Sequence, residues 1–204
     1  GAISAGVTGV LVGTAAGSLS GNRMAPWIVG RAAGLSAYAL LVALVLLGLL
    51  LSHPWRSRWR RPSSATRIRV HVVLAVLVLA LTVLHVVVLA TDRFAGVGWW
   101  GAVLPMRASY RPVPVTLGVV GAWAGLLAGV TAALAGHLPA RAWWPIHKVA
   151  AVALVLAWLH GVLAGGDTYV LRWIYVGTGL IVAVVALSRY AARTAGEPVE
   201  GLHR

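Results

Sequence analysis

Residues 70–90 form an unbroken apolar segment without Asp, Glu, Lys or Arg, and its only polar side chains are His71, Thr82 and His85. A helix needs about 20 consecutive apolar residues to cross the hydrocarbon core of a bilayer. This segment is long enough, and nothing in it is suited to water. A polar ring in such a helix requires a partner, because lipid offers none. Residues 147–164 repeat the arrangement with His147 and His160. The first two histidines are fourteen positions apart and the second two thirteen. At about 1.5 Å of rise per residue, each pair spans about 20 Å, most of a bilayer core.

The rest of the chain supports the same solvent. Of 204 residues, 60% are hydrophobic and 10% charged, against roughly 25% charged in soluble domains. The expected fold class is all-α: a polytopic membrane protein with a six-helix transmembrane bundle. Hydropathy places spans at 3–19, 27–51, 70–90, 115–136, 147–164 and 173–188. The first is short and rich in Gly and Ala. It is counted as a span rather than a signal sequence because no basic region precedes it. Residues 1–190 are expected to form one membrane domain, and residues 191–204 a short cytoplasmic tail.

The net charge of +13 does not point to nucleic acid, because the basic residues gather at span ends rather than on one polar face. One side of the expected bundle holds Arg56, Arg58, Arg60, Arg61, Arg67, Arg69, Arg141, Lys148, Arg189, Arg193 and Arg204. The other holds Arg23, Arg31, Arg93, Arg107, Arg111 and Arg172. The positive-inside rule then puts both termini in the cytoplasm of a multi-pass protein of the cell membrane. Membrane lipid is its first partner.

With that orientation, the third and fifth spans run in parallel. His71 and His147 fall near the inner ends, and His85 and His160 near the outer ends. The pattern suits axial ligation of two stacked b-type haems, His71 with His147 and His85 with His160. The chain has no cysteine, which excludes thiolate ligation, iron–sulfur clusters and thioether attachment. Helical phase agrees for one span only. Fourteen residues at about 100° each bring His85 to within about 40° of His71, whereas thirteen leave His160 about 140° from His147. A tighter or looser turn near Pro145, or different haem azimuths, must absorb the difference. Interhelical hydrogen bonds are the structural alternative for any single histidine.

Other residues receive plainer readings. His53, beside Pro54, and His137, in a short loop beside Pro139, are expected to be interfacial or solvated, and His203 to lie in the polar tail. Arg31, about one turn inside an apolar span, is expected to pair with a haem propionate, with snorkelling as the alternative. Arg67, Arg69 and Lys148 flank the inner ligands and serve equally as inner propionate partners or positive-inside anchors. The glycine series Gly9, Gly13, Gly17, Gly21 and Gly121, Gly125, Gly129 suggests close helix approach. Most tryptophans mark interfaces, with Trp123 and Trp158 deeper. The loop 91–114 is long enough to cap the outer site or dock an electron acceptor.

Several stretches together resemble the ferric reductase-like transmembrane domain superfamily, which includes ferric reductases, the membrane half of NADPH oxidases and the haem subunit of methionine sulfoxide reductase systems. They are the paired histidines, Trp27-Ile28-Val29-Gly30-Arg31-Ala32-Ala33-Gly34, and Trp144-Pro145-Ile146-His147-Lys148. His160-Gly161, Gly165-Gly166-Asp167-Thr168 and Ser109-Tyr110-Arg111-Pro112 are similar to short actinobacterial-type members. The resemblance covers nearly the whole chain. It implies two haems b on His71, His85, His147 and His160 and electron transfer from a cytoplasmic donor to an outer acceptor such as ferric iron, flavin or a partner reductase. The larger relatives continue into an FAD- and NADPH-binding region, and the sequence shows no glycine-rich nucleotide fingerprint. Separate donor and acceptor partners are therefore expected, with a flavin (FMN or FAD) from or shared with one of them. The competing readings are a quinol-oxidising cytochrome b subunit and a non-redox transporter. The latter would need more intramembrane charge than Arg31 supplies.

Overall fold

The computed structural model describes residues 24–54 and 62–194. Among these residues the regular structure is entirely helical, in seven elements: α1 Ala25–Leu51, α2 Ser64–Thr91, α3 Gly98–Val103, α4 Pro112–Ala133, α5 Ala140–His147, α6 Val149–Ala164 and α7 Thr168–Thr194. Five helical stretches are long and apolar enough to cross a membrane: α1, α2, α4, the joined α5–α6 over Arg141–Ala164, and α7 over Thr168–Ala192. They correspond to the second to sixth expected spans. The expected first span, 3–19, lies outside the described residues.

Helices outrun the hydropathic spans because their ends are set by local chemistry. α2 starts six residues before the apolar run, where the Ser63 hydroxyl accepts a hydrogen bond from the Thr66 amide (3.2 Å) as N-cap. α4 opens on Pro112, which suits a first-turn position where no amide donor is needed. α7 continues to Thr194, so the first residues of the expected tail, 191–194, are helical.

The helices leave large apolar side chains on the outside, opposite to the arrangement in a soluble domain. Val76 and Val83 on α2 are each 61% exposed and Leu187 on α7 is 67% exposed. Faces this apolar are stable only against an apolar solvent. Inside, small residues let backbones meet. α1 and α2 form one antiparallel hairpin, in which a Cβ on Gly30 would meet Leu89 Cδ2 at 2.8 Å. α4 and α6 form a second, in which a Cβ on Gly121 would meet Leu156 Cβ at 3.2 Å. Gly121 therefore serves helix approach, as the glycine series suggested. α7 flanks both hairpins: Tyr38 and Thr178 share a hydrogen bond (2.6 Å), and the Trp158 indole donates to the Tyr175 carbonyl (3.0 Å). Trp158 is thus a packing residue of the α6–α7 contact. Trp123, expected deep, is 54% exposed, and its indole donates to the Val103 carbonyl at the end of α3 (3.1 Å).

The 91–114 loop is an ordered cover rather than a plain connection. The Asp92 carboxylate accepts from the Phe94 amide (2.9 Å) and turns the chain out of α2. The Tyr110 hydroxyl and the Arg111 guanidinium donate to the Ala164 and Leu163 carbonyls at the end of α6 (3.1 and 2.7 Å). A cation at a helix C-terminus also complements the helix dipole. α3 rests on Ala108 through Gly101, where a Cβ would lie 2.7 Å from the Ala108 Cα, and backbone cannot yield as a side chain can. Gly101→Ala should therefore lift α3 off the loop and destabilise the protein by about 1–3 kcal/mol. A lowered unfolding temperature in detergent, with helix content retained, checks this.

Candidate functional site

The two hairpins face each other through their histidines. His71 lies opposite His147, and His85 opposite His160, with ring centroids 6.3 Å apart in both cases. The ring planes are crossed, at 67° and 80° respectively. Each hairpin contributes one member to each pair, as parallel α2 and α6 require.

The rings are aimed by the main chain. His85 Nδ1 donates to the Gly30 carbonyl (2.6 Å), His160 Nδ1 to the Pro114 carbonyl (2.8 Å), and His147 Nδ1 to the Ala128 carbonyl (3.3 Å). His71 Nδ1 is buried without a hydrogen bond of ordinary geometry, and the Leu44 carbonyl is the backbone acceptor that bears on it. A carbonyl can only accept, so each bonded Nδ1 carries the proton in the neutral ring. Nε2, on the other side of the ring, is then a bare lone pair directed away from its own hairpin.

A helix carbonyl already accepts from the amide four residues on, so a second donor must approach beside that residue's side chain. Glycine removes the obstacle. Gly34 stands four residues after Gly30, and a Cβ there would lie 2.7 Å from His85 Nδ1. Gly118 stands four after Pro114, and its Cβ would lie 2.7 Å from His160 Nδ1. Gly48 stands four after Leu44, and its Cβ would lie 3.2 Å from His71 Cε1. At the fourth position, four after Ala128, the residue is Ala132, and that hydrogen bond is the longest of the three. Sequence reading overlooked Gly34, Gly48 and Gly118. The available signal was that Gly34 and Gly48 are fourteen apart, the same step as His71 and His85.

The thirteen-residue spacing of His147 and His160 is absorbed at the α5–α6 junction. Pro145 lies inside α5, the Lys148 amide bonds the Pro145 carbonyl (3.2 Å), and the Ala151 amide bonds the Lys148 carbonyl (3.0 Å). Both are three-residue steps. Such turns advance about 120° and about 2.0 Å per residue, more than the α-helix in both respects. Thirteen residues thereby gain rotation and reach.

A cavity of about 360 Å³ opens between the hairpins at the His85–His160 pair. Its walls include Gly34, Gly118, Ala122, Gly125, Ala153 and Ala157, with Phe94 and Tyr110 of the loop at one end. The volume falls in the range of small-molecule sites. Arg31 and Tyr38 supply its polar rim.

The donor set fits a haem better than a bare ion. A metal–nitrogen bond of about 2 Å, plus about 1.1 Å from nitrogen to ring centre, puts two trans imidazoles about 6 Å apart between centroids. Both pairs have that separation. A bare zinc ion would seek four protein ligands, and among the described residues no group of three or more His, Cys, Asp or Glu converges. The residues that would hold a haem are His71 with His147 and His85 with His160, and the cavity adjoins the second pair.

The other expected site residues are placed as follows. The guanidinium of Arg31 pairs with the carboxylate of Asp167 and stacks on Trp27 at 4.6 Å. Asp167 is thus a protein partner for one side of Arg31, which also lines the cavity and has five donors in all. Arg67 is buried and donates to the Ser64 hydroxyl (3.0 Å), while Arg69 and Lys148 are exposed. Lys148 lies over Trp144 at 5.8 Å. His53 corrects its sequence reading: it is 5% exposed rather than solvated, at the end of α1, where Arg189 donates to the neighbouring Ser52 carbonyl (3.3 Å). His137 is exposed. Trp143 and Trp144 lie against His147, at 5.7 and 6.3 Å.

Comparisons with protein-family models, with curated proteins and with solved structures return no match.

The Arg31–Asp167 pair gives a direct test of its structural share. Arg31→Gln and Asp167→Asn should each destabilise the protein, and the double variant should lose less than the sum, with a coupling of about 1 kcal/mol. A double-mutant cycle of unfolding in detergent measures it.

Proposed function

We propose that this chain is a ferric reductase-like transmembrane electron-transfer protein that binds two b-type haems, one on His71 and His147 and one on His85 and His160. The observation that carries this reading is the recurrence of one geometry: two imidazole pairs at 6.3 Å, with Nδ1 of His85, His147 and His160 turned back to the main chain. When bound, the haems supply one-electron iron chemistry. The chain's own part is to fix the ligand tautomer, hold the rings, and surround the route with a dry, low-dielectric wall. His71 and His147 lie toward the end with the greater positive charge, the cytoplasmic side on this reading. His85 and His160 lie toward the outer side, beneath the 92–111 cover. The donor and acceptor are separate molecules, with a reductase or flavin on one side and a ferric chelate, flavin or partner protein on the other.

Two tests separate this reading from a transporter or scaffold. Purified protein should carry two haems, with low-spin bands on reduction. His71→Ala and His147→Ala should lose the same haem, and His85→Ala and His160→Ala the other. Pyridine haemochrome titration against protein concentration measures this. A fully loaded ratio near one or zero, or co-loss for His71→Ala and His160→Ala, refutes the pairing.

The second test is vectorial. In vesicles with a reductant trapped on the cytoplasmic side, an external ferric chelate should be reduced only by haem-loaded protein. His85→Ala should stop that reduction while the haem on His71 and His147 is still reduced. Equal external reduction by His85→Ala and wild type would remove the His85–His160 site from the route.

A further inference from the structure

The two histidine pairs share a separation but not a support, and the difference falls on one side of the molecule. Both members of the 85–160 pair donate short hydrogen bonds, 2.6 and 2.8 Å, to helix carbonyls bared by glycine. In the 71–147 pair, His147 donates at 3.3 Å beside Ala132, and His71 Nδ1 lacks a bond of ordinary geometry. A donated Nδ1 proton makes the opposite nitrogen a stronger electron donor, and a stronger axial donor favours the oxidised metal.

Resting on the diheme reading, we propose that Gly34 and Gly118 are positioning residues that give the His85–His160 haem the stronger axial pair and the lower reduction potential of the two. They act only by admitting the ring to the carbonyl; neither touches iron.

The test is a potentiometric titration of haem absorbance in the full-length protein. Wild type should show two midpoints. His147→Ala, and independently His71→Ala, should leave a single haem that titrates at the lower one. Gly34→Ala and Gly118→Ala place a methyl 2.7 Å from the Nδ1 of their histidine. Each should raise the lower midpoint and leave the higher unmoved. Gly48→Ala, whose methyl meets His71 at 3.2 Å, should move only the higher midpoint, and Gly177→Ala, in open space, neither. A surviving haem at the higher midpoint, coincident wild-type midpoints, or an unmoved lower midpoint in both Gly34→Ala and Gly118→Ala overturns the inference and leaves the diheme reading standing. A protein that binds no haem overturns both.

Discussion

An imidazole in a lipid-immersed helix must place its N–H somewhere, and here that need organises the molecule. The acceptors that His85, His147 and His160 reach are carbonyls of the neighbouring helices, each already bonded within its own helix but with a second lone pair. Reaching that lone pair requires a gap in the side-chain layer, which Gly34 and Gly118 provide for His85 and His160. The same contacts fix the spacing and register of α1 against α2 and of α4 against α6. Close packing and ring orientation are therefore one interaction seen from two sides.

From that constraint the remaining arrangement follows. Two tight hairpins present their rings to each other across a gap, and glycines and alanines of α4 and α6 line part of it. The polar closure is kept to one end, where Arg31 and Asp167 join α1 to the α6–α7 connection and Tyr110 and Arg111 fasten the loop to the end of α6. Those charges and caps lie at helix ends, where an interfacial group retains access to water. Deeper in, polar contacts are few and specific, such as Tyr38 with Thr178.

Much of this was legible in residue order. Apolar runs between arginine clusters mark spans because lipid tolerates no charge, and five of the six appear as long apolar helices among the described residues. The juxtaposition of His71 with His147 and His85 with His160 follows from direction and spacing alone. The partner of Arg31 was not legible, because Asp167 is 136 positions away in a connection whose path no periodicity reveals. His53 was misread because a histidine before proline at a helix end suggests water, and the packing of α7 over that end is a tertiary fact. The notch glycines were hidden in plain composition: a glycine in an apolar helix reads as helix packing, and its role appears only with the ring that enters it.

The division of each ring pair between hairpins has a mechanical consequence. α2 carries His71 and His85 as a rigid rod locked to α1, and α6 carries His160 with His147 at its junction, locked to α4. Any slide of one hairpin along the other therefore shifts both pairs together and in the same sense. A displacement of a single residue's rise, about 1.5 Å, would misalign two sites about 20 Å apart at one stroke. The sites are coupled by stiffness alone, like two teeth on one rack, so a force applied near the loop end of the bundle is felt at the arginine-rich end as well.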